Sequence, residues 1–213
     1  MALVPAPDKP SLRTQQAALT RARVLGAAHD SFIAVGWAGT TVRAVADGAG
    51  VSLQTVYNTV GGKAALLKAV YDRAVAGDDE PVTIAERAQV AAMRAMTDPG
   101  ELLDAYADLG RQLAERAAPL SAVVLSQAGA GEPAVRAWVA TIDAERATGT
   151  RRVAEHLAAA GWLRPGVDLD EAADVLWAVT APEVAVRLAV TRGWGWRRYG
   201  GWLALTLRAA LLP

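Results

Sequence analysis

Apolar residues recur at the three- and four-residue spacing of a helix along nearly the whole chain, while the alternation of a half-buried strand is scarce. Over residues 21–35, Val24, Leu25, Ala28, Phe32 and Ile33 share one face, and Gly36 ends the run. Short helices are expected over 41–48 and 52–59. A longer one is expected over 63–77, with Leu66, Leu67, Val70, Tyr71 and Ala74 as its core stripe. Further on, the spacing predicts helices at roughly 83–96, 100–116, 119–129, 133–160, 168–191 and 196–211. Asp98-Pro99-Gly100, Gly129-Ala130-Gly131 and Arg164-Pro165-Gly166 separate them. Asp168, Asp170 and Glu171 read as the first-turn acids of a helix, which its dipole favours. The expected fold is all-α.

The run Gly77-Asp78-Asp79-Glu80-Pro81 breaks the pattern and marks a domain junction. It leaves a flexible tail at 1–18, a small domain at 19–77 and a larger helical domain at 81–213. The 213 residues are 53% hydrophobic, enough for a sizeable core. Without cysteine, disulfides, thiolate metal sites and cysteine nucleophiles are excluded. No signal peptide is visible in the proline-rich start, and no charge-free apolar run approaches membrane length. A soluble, cytoplasmic protein is expected.

Charge changes the picture through its distribution. The total is zero. Yet between Lys9 and Arg73 the basic residues Lys9, Arg13, Arg21, Arg23, Arg43, Lys63, Lys68 and Arg73 face only Asp30, Asp47 and Asp72, a local +5. From Asp78 onward fourteen arginines face eighteen acids, a local −4. A basic head on an acidic body suits nucleic-acid binding by the head alone.

Within the head, the segment from Thr40 to Asn58 has the spacing of a helix-turn-helix. Val45, Ala49, Val51 and Val56 are apolar where two helices must pack, and Ala46 is small where they cross. Gly50 stands where the turn needs a left-handed backbone. Ser52 is placed to cap the second helix, and Thr40 or Thr41 the first. The second helix starts with exposed polar residues, where a major-groove reader meets bases. Gln54 suits an adenine edge, and Thr55 or Leu53 a thymine methyl. Arg43, Tyr57, Asn58, Thr59 and Lys63 are candidates for phosphate, as are free helix N-terminal amides.

Thr40-Thr41-Val42-Arg43-Ala44-Val45-Ala46, Ala49-Gly50-Val51-Ser52, Thr55-Val56-Tyr57 and Lys63-Ala64-Ala65-Leu66-Leu67 resemble the signature of the tetracycline-repressor (TetR) family over about residues 20 to 70. The resemblance implies a homodimer. Each subunit would have a three-helix helix-turn-helix DNA-binding head joined by a fourth helix to a larger helical ligand-binding and dimerisation domain. It places Thr41, Tyr57, Asn58, Thr59 and Lys63 on the DNA backbone, and Leu53, Gln54 and Thr55 toward the bases. Three positions depart from the pattern. Val60 replaces an aromatic, Asn58-Thr59 replaces a His- or Tyr-rich pair, and Gly61-Gly62 replaces more polar residues. Val60 buries less area, which costs the head something on the order of 1 kcal/mol.

The run Leu176 to Val184 and Arg192-Gly193-Trp194 resembles the last two helices of actinobacterial-type members. That implies a homodimer through about 168–191 and 196–211. Val175, Leu176, Val179, Val184, Leu188, Trp202, Leu203, Leu205, Leu207 and Leu211 supply more apolar surface than one subunit edge needs. A two-fold dimer matches a palindromic operator. Met93, Met96, Tyr106, Trp138 and Trp177 are candidate lining residues for an effector pocket, and the scarcity of charge in these stripes favours an apolar or aromatic ligand. No metal site or cofactor is expected. His29 and His156 lie in different domains without an acid–His–Ser spacing, so no catalytic site is expected either. The expected function is a DNA-binding transcriptional regulator, most simply a repressor released by a small effector. An activator, a helical protein-interaction module and a helical enzyme are the alternatives.

Overall fold

A computed structural model describes residues 11–77, 82–129 and 131–213, and every regular element in them is helical. The expected tail before residue 11, most of the acidic junction and Ala130 lie outside the described residues. Two compact units divide inside one helix, the first ending at Val70 and the second running from Tyr71 to Pro213.

In the first unit, α1 spans Leu12–Gly39. It begins inside the segment read as a flexible tail, because the Ser11 hydroxyl accepts from the Thr14 amide and caps it at once. Gly36 does interrupt it, with φ +66°, but helical hydrogen bonding resumes on the far side, so the end falls at Gly39. The helices α2 (Val42–Ala49) and α3 (Leu53–Thr59) pack on it in turn. Val24, Leu25, Ala28 and Phe32 of α1, Val45, Ala46 and Ala49 of α2 and Val56 of α3 are all buried. The helix α4 (Lys63–Ala76) begins in this unit and buries Leu66, Leu67 and Val70.

In the second unit a 3₁₀ turn at Ile84–Glu86 precedes α5 (Ala88–Arg94). The periodicity predicts one helix over 83–96. The extended backbone of Arg87 divides it in two, behind a Thr83–Glu86 capping box. Next come α6 (Pro99–Ala128), α7 (Pro133–Ala159) and α8 (Leu169–Val179), then the single turn α9 (Pro182–Ala185), a π-helical stretch at Val186–Thr191 and α10 (Trp196–Leu211). Two expected boundaries are corrected. The break expected between 116 and 119 is absent, because α6 runs through Pro119. Proline forfeits one intrahelical bond there, but buried Ala117, Ala118, Leu120 and Val124 hold the helix on both sides. Conversely, 168–191 is not one helix. Thr180 ends α8, and Pro182 starts a new turn, where its missing N–H costs nothing. Asp170 and Glu171 stand in the first turn of α8, whereas Asp168 precedes it as the cap, accepting from the Glu171 amide at 2.9 Å.

The core of this unit lies between α6, α7, α8 and α10, around Leu103, Leu157, Leu176, Leu203, Leu207 and Leu211. Tyr199 is buried with them, edge-on to Trp196 and stacked on Trp202. Burial pushes its phenol up to about 12, with Arg146 opposing. The unfolded phenol ionises near 10. Above pH 10 the unfolded chain therefore releases a proton that the folded chain keeps, and stability falls until the folded group also titrates. Two pH units at about 1.4 kcal/mol each make the Tyr199 share about 3 kcal/mol. Denaturant midpoints should fall between pH 10 and 12, and Tyr199→Phe should flatten that fall. An equally steep fall in the variant would contradict the assignment. Tyr71 and Tyr106, raised by burial in the same direction, add to the slope.

Candidate nucleic-acid interface

The interface candidate is built by two short helices and the turn between them. The Thr41 side chain caps α2, accepting from the Ala44 amide at 3.0 Å. This resolves the choice between the two threonines, because Thr40 is buried and its hydroxyl donates to the Gly36 carbonyl at 2.8 Å. Gly50 adopts φ 63°, ψ 42°, the left-handed conformation that turns the chain out of α2. The Ser52 hydroxyl then caps α3, accepting from the Thr55 amide at 3.0 Å. Buried Val56 pins α3 inward, so its opposite side faces solvent.

That outer side carries four of the expected residues. Leu53, Gln54, Tyr57 and Asn58 are exposed at i, i+1, i+4 and i+5, one face of α3. Tyr57 is 50% exposed, a large aromatic that the head's own packing does not require. Gln54 donates from Nε2 to Asn58 Oδ1 at 2.8 Å, which holds both amides on that face. Arg43 is exposed on α2. Thr41 is exposed too, though its oxygen already serves as a cap.

Three expected residues sit deeper. Thr55 is half-buried and its hydroxyl pairs with that of Ser52 at 2.8 Å. Thr59 is half-buried at the end of α3. Lys63 lies over the Trp37 ring, 4.5 Å from its centroid, and burial lowers its pKa below the ordinary lysine value. Trp37 stacks on Phe32 in turn, with ring centroids 6.1 Å apart. Sequence reasoning missed Trp37, because a residue preceding the motif gives no sign that it carries Lys63.

The five effector-pocket candidates do not form one site. Met93, Met96 and Tyr106 belong to the core of the second unit. Trp138 is buried edge-on to Tyr71, 5.4 Å between centroids. Trp177 faces outward beside Arg146. A cavity of about 380 Å³ lies elsewhere, lined by Ala76, Val82, Ile84, Ala88, Val90 and Leu109 with the polar Glu86, Arg87, Gln89 and Arg116. Among the described residues, no helix is long and apolar enough to cross a membrane.

Residues 24–70 match the family model described as "Bacterial regulatory proteins, tetR family". No curated protein matches the sequence. Solved structures share the fold across nearly the full length. SmeT, solved as a complex with triclosan, is 20% identical with a TM-score of 0.66 over 91% of this chain and 92% of its own. A TetR transcriptional regulator from Chloroflexus aurantiacus is 22% identical, with a TM-score of 0.63 over 93% and 98%. NalD of Pseudomonas aeruginosa, the secondary repressor of the MexAB-OprM multidrug efflux pump, is 16% identical, with a TM-score of 0.67 over 92% and 98%. The fold is therefore a helix-turn-helix head joined by α4 to a larger helical domain, and the family match falls within the head.

Proposed function

We propose, from a head of the TetR family, that this chain is a cytoplasmic transcriptional repressor that binds a palindromic operator as a homodimer and is released by a small effector. The observation that carries the reading is the outer face of α3. Leu53, Gln54, Tyr57 and Asn58 stand exposed on a helix whose entry, cap and opposite side are all fixed. A helix held that way presents its N-terminal half to a major groove. In this reading Gln54, Leu53 and Thr55 face bases. Arg43, Thr41, Tyr57, Asn58, Thr59 and Lys63 meet the backbone. The head comprises about 19–77 and the effector and dimerisation domain about 81–213.

The dimer is assigned to the surface of α8, α9, the π-helical stretch and α10. Leu176, Leu203, Leu207 and Leu211 are buried within the subunit, which leaves Trp177, Val190 and Leu205 exposed. Leu205 is 69% exposed on the helix that buries Leu203. Apolar side chains left over on the outer side of a packed pair are what a second copy would cover. The effector site is assigned to the cavity between the end of α4, the 3₁₀ turn, α5 and α6, whose lining is apolar with a polar margin. That SmeT was solved with triclosan and that NalD is a repressor support a ligand-responsive repressor of this fold.

Substitution separates base reading from backbone contact. Gln54→Ala should weaken operator binding by about 1–3 kcal/mol, roughly five- to 150-fold, and leave non-specific DNA binding nearly unchanged. Lys63→Ala should weaken binding to every sequence and make log K less steep in log salt by about 0.9. Fluorescence anisotropy over a salt series measures both. A folded Gln54→Ala protein with undiminished operator affinity would remove Gln54 from the base-reading set. An unchanged salt slope in Lys63→Ala would remove Lys63 from the phosphate set.

A further inference from the structure

The last carbonyls of a helix have no partner within it and carry the negative end of its dipole. Neither α2 nor α3 has a basic residue in its last turn. In both, the missing partner arrives from α1. The Arg23 guanidinium donates through Nη2 to the Ala49 carbonyl and, at 3.3 Å, to the Gly50 carbonyl. The Arg21 guanidinium donates through Nη1 to the Thr59 carbonyl at 3.0 Å. Ala49 and Gly50 are the end of α2 and the turn itself, and Thr59 is the last residue of α3. One arginine therefore holds the entry to the outer helix and the other its exit. Gly50 is tied into the same contact, since a Cβ there would lie 2.7 Å from Arg23 Nη2.

The second unit uses the same device. Arg116 donates to the Val75 carbonyl at 3.1 Å at the end of α4, and Arg146 to the Trp177 carbonyl at 2.8 Å near the end of α8. Arg164 donates to the Ala209 carbonyl at 2.9 Å near the end of α10. The arginine fork suits this use, because its several fixed donors can serve adjacent carbonyls. In the head it also alters the charge account. Two of the basic residues gathered around the helix-turn-helix are directed at its own backbone.

We propose that Arg21 and Arg23 are positioning residues. They set the angle and register of α3 in the groove, and so the sequence it selects, without serving as phosphate ligands. This rests on the DNA-binding reading above. The test compares full-length wild type with Arg21→Ala and Arg23→Ala. Affinity for the operator and for unrelated duplex is measured across a salt series, and amide exchange over residues 50–60 is followed alongside. The ratio of operator to non-specific affinity should fall about tenfold with the salt slope unchanged, because misplacing a base-reading helix costs about one good base contact. Amides of α3 should exchange faster. An unchanged ratio would overturn the proposal, because a purely stabilising contact leaves selectivity intact. So would a salt slope shallower by about 0.9 for the arginine removed, which is the mark of a lost phosphate contact. If an alanine variant unfolds the head, the lysine variant at that position, which keeps the charge without the fork, is read by the same criteria. Wild-type protein that binds no duplex would defeat the DNA-binding reading instead. Amide exchange then decides alone, with unchanged rates overturning the proposal.

Discussion

Phe32→Ala should unfold the N-terminal head under conditions where the second unit stays folded. Phe32 is fully buried, and it is the only phenylalanine in the chain. Truncating a buried phenylalanine costs about 3–5 kcal/mol. A unit of this size has about 3–9 kcal/mol to lose, at about 0.05–0.15 kcal/mol per residue. The two ranges overlap, so the variant is marginal at best. Two features add to the effect. The ring supports Trp37, which carries Lys63, so the substitution loosens the start of α4 as well as the α1 core. The neighbours of Phe32 in the head core, Val24, Leu25, Ala28, Val45, Ala46 and Val56, are each fully or almost fully buried, which limits how far they can move into the space left. Calorimetry should show the head's transition lowered by more than about 12 °C or lost, since each kcal/mol moves a domain of this size by about 4–8 °C. A head transition within a few degrees of wild type would show that α1 does not depend on this ring.

Leu203→Ala should give the largest loss in the second unit. Leu203 is fully buried where α10 packs on α6. On α6, Ala107 is buried in the same core, and a Cβ at Gly110 would lie 3.8 Å from Leu203 Cδ1. Small residues on a helix backbone cannot expand into a void, so the cavity stays open. The cost belongs toward the upper part of the usual 2–5 kcal/mol. For a domain of this length that is a drop of roughly 6–20 °C, at 2–4 °C per kcal/mol. Leu205→Ala, two residues along, should change the subunit's own stability by less than about 0.5 kcal/mol. Under the proposed assembly its effect appears as weaker self-association in sedimentation. Equal destabilisation by the two substitutions would mean that α10 is not amphipathic in the way described.

The contrast between these two leucines shows what the chain discloses before folding. Helical spacing marks both as apolar stripe, and it does not say which side meets the subunit core. The helix-turn-helix was legible because each part has a local cause. Gly50 takes a conformation disfavoured for other residues, Ser52 caps within three residues, and Val56 follows at helical spacing. The continuity of α6 through Pro119 was not legible, because proline's local penalty is offset by burial against distant elements. The reverse holds at Thr180 and Pro182, where an unbroken apolar stripe conceals a change of direction. Arg21 and Arg23 read as part of a basic surface. Their partners lie 38 and 26 residues away, a separation at which charge counting carries no geometry. The cavity proposed for the effector was the least legible part, since a void is set by where side chains fail to meet, and large apolar residues such as Met93 and Trp138 more readily fill space than line it.

Under the proposed function, the outer face of α3 reads a palindromic operator. DNase footprinting of the DNA upstream of the protein's own gene, repeated across a salt series, tests it most directly. Two protected half-sites should appear, related by a two-fold axis and spaced by about one helical turn or a multiple of it. Binding should be in the nanomolar range and weaken steeply as salt rises. Folded protein that protects no sequence over another, at low salt and without effector, would contradict it.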